Sequence, residues 1–372
     1  MVKPGQRERL GVLEVGRFVA AATVLLTHYF GEMAHYANAA WAAVLLNIPL
    51  PFPLAVEFFF VLSGFFIMSA HYADFGQAKR VPVFWWRRIC RIYPMYWVAL
   101  GVTLLFLHPP AALGKLLTLV VLLPVPAPEF VPPAWTLRYE IGFYMVFGLC
   151  LLPYVGRWLL ALWVVSTYWL WRPQALAWAD WGWGHAMLVW FIQHVTPLLL
   201  EPEQFYFFAG LLAAVLFRRC ALAGRGTGWL LVAAGVLVLA AAGPWDAYGV
   251  HYGAPMVNAV NGAGLGLVIL GLAALERARH IGCGAWGYRL GAMTYTAYIM
   301  HTSLMLAVSI WLGGRLHLGG PALLLFASLY LAGLMAVLYV LTFAVDMPAQ
   351  RALRGLAGRF KARVARFETG AG

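Results

Sequence analysis

Apolar stretches of about 20 residues recur along the whole chain, and short segments with charged residues, Pro or Gly separate them. Each stretch has the length and apolar character of a transmembrane helix. We therefore predict an all-α polytopic membrane protein with about ten transmembrane helices. The predicted spans cover residues 11–31, 54–72, 92–109, 137–155, 157–172, 203–218, 228–245, 255–275, 289–312 and 321–345.

Two further apolar segments are not counted as spans. Residues 116–123 are too few to cross a bilayer and are expected to form an interfacial or re-entrant piece. Residues 186–200 include Gln193, His194 and Pro197, and we assign them to a partly embedded outer loop. Counting them as a span would reverse the orientation of every later helix.

The distribution of basic residues gives the orientation. With ten spans and a cytoplasmic N-terminus, all but four of the 26 Lys and Arg residues fall on the cytoplasmic side. Because cytoplasmic loops are enriched in Lys and Arg, this asymmetry favours ten spans with both termini in the cytoplasm. The chain then divides into a membrane domain, residues 1–348, and a basic amphipathic tail, residues 349–372, expected to lie on anionic lipid.

The composition excludes several protein classes. Hydrophobic residues make up 63% of the chain and charged residues 11%, whereas soluble domains are about 25% charged. A soluble enzyme, a disordered chain and a disulfide scaffold are therefore excluded. The net charge of +12 is explained by scattered cytoplasmic Arg residues. No nucleic-acid partner is expected, because those charges do not form a basic domain.

Arg17 and His28 are the first candidates for chemistry inside the membrane. They are eleven positions apart, so on a helix they project from the same face about 16.5 Å apart. An ionisable side chain within a span costs about 2.5–3.5 kcal/mol and needs a reason. His28 can accept a proton near neutral pH as a general base. The alternative is that His28 only forms a hydrogen bond that holds neighbouring helices together.

Three arginines follow the second span in the sequence FWWRRICRIYPMYW. Arg87, Arg88 and Arg91 fall within five residues, and on a helix they form one basic face. Guanidinium groups bind phosphate in bidentate fashion, so we expect Arg88 and Arg91 to bind an anionic substrate. The alternative is ordinary anchoring by positive charges at the cytoplasmic surface.

Two acidic residues and a small-residue pair lie at or near predicted spans. Glu57 opens the second span, and Ser63-Gly64 further along it would let another helix approach closely. Glu57 and Ser63 are also candidates for binding the substrate. Glu140 lies near the start of the fourth span, close to Arg138. Glu140 either pairs with Arg138 or orients a catalytic histidine, and the sequence does not separate these roles.

The ninth span carries a polar stripe. Thr294, Tyr298 and His301 are spaced at i, i+4 and i+7, which places them on one helix face. We expect this face to turn towards the interior of the bundle, where Tyr298 and His301 either contact substrate or form interhelical hydrogen bonds. No G-x-S-x-G, H-E-x-x-H, P-loop or dinucleotide motif occurs. Serine-hydrolase, zinc and ATPase mechanisms therefore have no support, and no metal site is predicted.

Six motifs in this order resemble the membrane acyltransferase-3 family of bacterial O-acyltransferases. Arg17, ten residues and His28 match its Arg-x10-His motif, and residues 57–66, EFFFVLSGFF, resemble its D-x-F-F-V-L-S-G-F motif with Glu57 for Asp. The other four are Arg88 to Pro94 for R-x-x-R-I-x-P, Trp135 to Glu140 for W-S-L-x-x-E, Gly291 to His301 for G-x-x-S-Y-x-x-Y-x-x-H, and Asp346 to Pro348 for E-x-P.

The resemblance implies an acyltransferase of the bacterial inner membrane that uses acyl-CoA, and most simply acetyl-CoA, as co-substrate, with no tightly bound cofactor. It implies that His28 is essential and that Arg88 and Arg91 lie near the CoA phosphates. Our hypothesis adds Arg17 as a third contact. Relatives of this length modify exopolysaccharide, lipid-linked sugars or antibiotics.

The resulting hypothesis is an O-acetyltransferase that moves an acyl group from cytoplasmic acyl-CoA to a hydroxyl of a sugar or polysaccharide at the outer side. His28 acts as general base, and Glu140 is the second candidate catalytic residue. An acetyl-His relay is the alternative route. A polytopic transporter or flippase for a lipid-linked or anionic substrate is the alternative function, although no internal repeat supports it.

Overall fold

The computed structural model describes residues 10–36, 54–107, 119–124, 129–170, 197–220, 222, 224–247, 255–312 and 320–356. These residues form helices joined by turns, with no β-strand among them. We number the ten long helices α1 (Gly11–Tyr36), α2 (Ala55–His71), α3 (Val81–Leu107), α4 (Ala134–Leu149), α5 (Gly156–Leu170), α6 (Gln204–Arg219), α7 (Arg225–Ala247), α8 (Pro255–Arg277), α9 (Ala285–Leu312) and α10 (Gly320–Val340). Short helical turns lie at Tyr72–Asp74, Ala78–Arg80 and Pro197–Leu200.

Each predicted span overlaps one of these helices, which confirms the all-α prediction. Seven helical segments in the described part of the chain are long and apolar enough to cross a membrane. They contain α1, α2, α3, α6, α7, α8 and α10. Of the other three, α4 and α5 have 16 and 15 residues, fewer than the roughly 17–25 of a transmembrane helix, and α9 has 28 residues but is not among the seven. The count of about ten spans and the orientation of the termini therefore stay predictions.

Helix α3 starts earlier than the sequence analysis predicts. The predicted span begins at residue 92, whereas α3 begins at Val81 and contains the whole arginine cluster. The arginines at 87, 88 and 91 interrupt the apolar sequence, so hydropathy places the start of the span after them. Pro82, in the first turn, costs no hydrogen bond there, and Pro94 lies inside the helix.

Helix α10 continues beyond the predicted end of its span. A π-helical segment follows at Leu341–Asp346, and α-helix then resumes through residue 356. The proposed domain boundary at residue 348 lies within this continuous helix. Residues 357–372, the rest of the predicted tail, lie outside the described residues, as do residues 116–118 and 186–196 of the two uncounted segments.

The helices pack in an order that brings distant parts of the chain together. Helix α1 packs against α9 and α2, α9 against α3, and α2 against α6, which contacts α8 and through it α7. Because α1 lies between α2 and α9 and α9 also packs on α3, the helices that carry the six sequence motifs are neighbours.

Two glycines allow α2 and α6 to approach closely. A Cβ atom added at Gly64 would overlap the backbone carbonyl of Phe207, and one added at Gly210 would overlap that of Val61. Backbones can come this close only where a side chain is absent. The predicted packing role of Gly64 is confirmed, whereas its neighbour Ser63 forms a hydrogen bond to Glu140.

The described part of the segment at 116–123 lies against α3. The hydroxyl of Tyr96 donates a hydrogen bond to the carbonyl of Leu119 (2.5 Å), and the indole of Trp97 donates one to that of Val120 (2.9 Å). Leu119 and Leu122 are buried. This segment therefore packs on the bundle through the aromatic side chains of α3.

Candidate functional site

Two histidines from opposite ends of the chain meet at the interface of α1 and α9. Nδ1 of His28 lies 2.8 Å from Nε2 of His301, and the two ring planes are nearly parallel, at 20° to each other, with their centroids 5.1 Å apart. His301 is fully buried, whereas the side chain of His28 is exposed. Nδ1 of His301 lies 3.0 Å from the backbone carbonyl of Ala297. The pair therefore presents one accessible imidazole supported by one buried imidazole.

Arg17 lies three turns before His28 on α1, as the spacing predicts. Its guanidinium donates to Glu14 Oε2 at 3.0 Å and lies over the ring of Phe66, 5.7 Å from the centroid. The Arg17 side chain keeps 19% exposure. It is thus held in place by one carboxylate and one ring, with donors left for a further anion.

The guanidinium of Arg88 lies over two aromatic rings. Its guanidinium carbon is 5.5 Å from the ring centroid of Phe84 and 5.4 Å from that of Tyr144. Nε of Arg88 is buried without a partner among the described residues. Contacts of this kind fix the orientation of a guanidinium.

Glu140 belongs to the same network as Arg88. Its Oε1 accepts a hydrogen bond from Ser63 Oγ at 2.9 Å and another from the Tyr144 hydroxyl. Three helices, α2, α3 and α4, therefore meet through Ser63, Tyr144, Arg88 and Glu140. Among the described contacts, Glu140 does not reach His28, so its predicted catalytic role has no direct geometric support.

The alternative pairing of Glu140 with Arg138 is wrong. Arg138, which is 2% exposed, forms an ion pair with Glu129 and donates to the carbonyl of Leu123 at 2.7 Å. Burial raises the pKa of Glu129, and its hydrogen bond with Arg138 opposes that rise. Sequence proximity on α4 suggested Glu140, but residues two apart on a helix point in different directions.

Arg91 is the second arginine of the R-x-x-R motif. It interacts electrostatically with both Arg88 and Asp346. Asp346 is buried at the end of the π-helical segment and accepts hydrogen bonds from Thr296 (3.3 Å) and Gln350 (2.9 Å). Arg91 itself is partly exposed. The closing motif thus supplies a buried carboxyl group that interacts with Arg91.

The polar stripe on α9 faces the bundle interior, as predicted. Thr294, Tyr298 and His301 are all buried. The hydroxyls of Tyr298 and Thr136 lie 2.9 Å apart and join α9 to α4. Glu57 is also buried and interacts electrostatically with Tyr298.

One residue near the site escaped the sequence analysis. Glu32 lies one turn beyond His28 on α1, about 6 Å further from Arg17 along the axis, and its Oε2 accepts a hydrogen bond from the Tyr330 hydroxyl at 3.2 Å. Glu32 is partly exposed. The i+4 spacing from His28 was the available signal, but Glu32 lies just outside the predicted span of 11–31.

The arrangement places an accessible imidazole between two polar ends. Arg17, three turns from His28 towards the N-terminus, marks a cationic end, and the carboxyl group of Glu32 marks an acidic one. Within the described residues, no group of three or more His, Cys, Asp or Glu side chains has the geometry to hold a metal ion. The chemistry that these residues offer is proton transfer at His28.

Comparisons with known proteins agree with this arrangement. A family model described as "Acyltransferase domain" matches residues 11–344. The chain is 32% identical over 161 residues to "Acyltransferase MdmB" of Streptomyces mycarofaciens, an alignment that covers 39% of this chain and 40% of that protein. No solved structure matches the chain. Since the family model spans nearly the whole helical bundle, the chain belongs to the acyltransferase-3 family of membrane acyltransferases.

Proposed function

We propose that this protein is an O-acyltransferase of the bacterial inner membrane. It transfers an acyl group, most simply acetyl, from cytoplasmic acyl-CoA to a hydroxyl of a sugar or glycan at the outer side. The observation that carries the proposal is the exposed imidazole of His28, bound through Nδ1 to the buried His301. A supported, accessible imidazole is the group that proton abstraction from a hydroxyl requires.

The charge pattern supports the assignment of the two sides. The cationic Arg17 end of α1 belongs to the side that collects most Lys and Arg residues, which is the cytoplasmic side under the positive-inside rule. Acyl-CoA is made in the cytoplasm and carries several phosphate charges. A donor that enters from this side therefore meets Arg17 before it reaches His28.

Arg91 and Arg88 are proposed to bind the CoA phosphates in different ways. Arg91 is partly exposed and can contact a phosphate directly. Arg88 is held by Phe84 and Tyr144, so its guanidinium is preorganised. On this view the network of Ser63, Tyr144 and Glu140 holds Arg88 in position instead of acting on the substrate.

The proposed chemistry is a single acyl transfer. Nε2 of His28 removes the proton of the acceptor hydroxyl, and the oxygen attacks the thioester carbonyl carbon. The C–O bond forms, the C–S bond breaks, and the proton passes from His28 to the CoA sulfur. A positioned histidine base contributes a factor of about 10²–10⁴ in rate.

The experiment uses purified full-length protein in detergent. The protein is incubated with radiolabelled acetyl-CoA and with surface glycans and lipid-linked sugars from a strain that lacks it. We expect label in the glycan or lipid-linked fraction, and a mass increase of one acetyl group on the acceptor. Because detergent leaves no gradient or separate compartments, label transfer would exclude pure transport. No label in any fraction, with acetyl-CoA and a folded protein present, would contradict the proposal.

A further inference from the structure

The hydrogen bonds around His28 and His301 fix the tautomer of both rings. A neutral imidazole has one N–H donor and one acceptor nitrogen, and its hydrogen-bond partners reveal which is which. Nδ1 of His301 faces the backbone carbonyl of Ala297 at 3.0 Å. A carbonyl oxygen only accepts, so Nδ1 of His301 carries the proton.

The assignment then passes along the pair. With its proton on Nδ1, neutral His301 offers a lone pair at Nε2, and that nitrogen lies 2.8 Å from Nδ1 of His28. Nδ1 of His28 must therefore be the donor of this bond. The proton of neutral His28 is thus on Nδ1, and the lone pair is on Nε2.

The opposite arrangement is costly. If Nε2 of His301 donated to His28, Nδ1 of the fully buried His301 would direct a lone pair at the Ala297 carbonyl. Two acceptors would then face each other at a buried position, which carries the penalty of an unsatisfied buried polar group. Only one tautomer of each ring satisfies every bond of the pair.

We infer that His301 is a positioning residue that holds His28 in the tautomer with Nε2 unprotonated and aimed away from the α1–α9 interface. This inference rests on the proposed function, since it matters only if His28 removes a proton. His301 has both ring nitrogens engaged within the bundle, so it acts through His28 and not on the substrate.

The hydrogen bond between the two rings also stabilises the positive charge that forms on His28 during transfer. When Nε2 of His28 takes the hydroxyl proton, the ring becomes an imidazolium and its Nδ1–H bond to His301 becomes charge-assisted, which strengthens it. Proton transfer to the thiolate of CoA restores the neutral pair. For a metal-bound histidine, loss of the hydrogen-bond partner on its other nitrogen lowers metal affinity or activity about 10- to 100-fold.

Three variants separate positioning from packing. His301→Phe keeps a ring but removes the acceptor, and we expect kcat to fall about 10- to 100-fold with the KM for acetyl-CoA unchanged. His301→Gln offers an amide oxygen to His28 and an N–H to Ala297, and is expected to recover most of the rate. Ser309→Ala is the matched control, because it removes a buried side-chain bond to the i−4 carbonyl on the same helix. Equal losses in the Phe and Gln variants would overturn the inference.

A measurement on the unaltered site keeps the inference testable whether or not the variants fold. The full-length protein is labelled with ¹⁵N-histidine in detergent, and the His28 signals are assigned by their loss in His28→Gln. At neutral pH we expect a protonated Nδ1 and an unprotonated Nε2 for His28, and a protonated Nδ1 for His301. The reverse tautomer at either ring would contradict the inference. Because this measurement needs no substrate, a reversed tautomer can be distinguished from an absence of acyl transfer.

Discussion

The carboxylate of Glu276, at the end of α8, caps the first residue of α1. Its Oε1 accepts a hydrogen bond from the backbone N–H of Gly11 at 2.7 Å, and both of its oxygens contact the N–H of Val12. A negative charge at a helix N-terminus satisfies unpaired N–H groups and interacts favourably with the helix dipole. The helix that carries His28 is therefore anchored by a residue far away in the sequence.

Loss of this cap should destabilise the bundle. Glu276→Ala removes the acceptor and is expected to cost about 0.5–2 kcal/mol, as for other helix caps, whereas Glu276→Gln keeps one acceptor oxygen and should cost less. Thermal unfolding in detergent measures the effect. An unfolding temperature equal to wild type for Glu276→Ala would show that the cap contributes nothing.

The close approach of α2 and α6 predicts intolerance to a methyl group. Gly64→Ala and Gly210→Ala each place a Cβ on a backbone carbonyl of the facing helix, and overpacking of this kind costs about 1–3 kcal/mol. Gly101→Ala on α3 is the control, because its Cβ would meet nothing within 4 Å. We expect lower unfolding temperatures for the first two variants only. Equal stability of all three would contradict the described packing.

Arg91 provides a test of the donor site. If it contacts the 3′-phosphate of CoA, Arg91→Gln should raise the KM for acetyl-CoA about 10- to 100-fold, which corresponds to loss of a charged hydrogen bond of about 1.5–3 kcal/mol. With 3′-dephospho-acetyl-CoA as donor, wild type and variant should then have similar KM values. Arg218→Gln serves as the control, since Arg218 lies on α6 over Tyr72. An equal effect on both donors would place Arg91 away from that phosphate.

Glu32 provides the corresponding test of the acceptor site. It lies on the opposite side of His28 from Arg17 and is held by Tyr330, so a carboxylate oxygen can accept from a sugar hydroxyl. Glu32→Gln should raise the acceptor concentration needed for half-maximal transfer and leave the KM for acetyl-CoA unchanged. A rise in the KM for acetyl-CoA alone would assign Glu32 to the donor side.

The sequence predicted the helices well because hydropathy reports directly on the surroundings of each segment. All ten long helices match predicted spans, and the stripe of Thr294, Tyr298 and His301 lies in the interior, as its 3.6-residue period requires. The start of α3 was missed because Arg87, Arg88 and Arg91 interrupt its apolar sequence. Hydropathy reports the surroundings of a segment and not its backbone conformation, which explains that error.

The contacts within the site were less predictable, because they depend on how helices distant in sequence pack. His28 and His301 were each identified as candidates, but nothing in the sequence indicated that they touch. Glu140 was expected beside Arg138 or a histidine, and the structure instead joins it to Ser63 and Tyr144. Glu276 offered no local signal at all, since the groups that it caps are at the other end of the chain.

The rate of acyl transfer by a His28 variant decides whether His28 is the general base. Purified wild type, His28→Gln and the control His280→Gln, which alters an exposed histidine between α8 and α9, are compared with radiolabelled acetyl-CoA and glycan from the deletion strain. We expect His28→Gln to lower the rate at least 100-fold with unchanged folding, and His280→Gln to match wild type. Transfer by folded His28→Gln at the wild-type rate would contradict that role for His28.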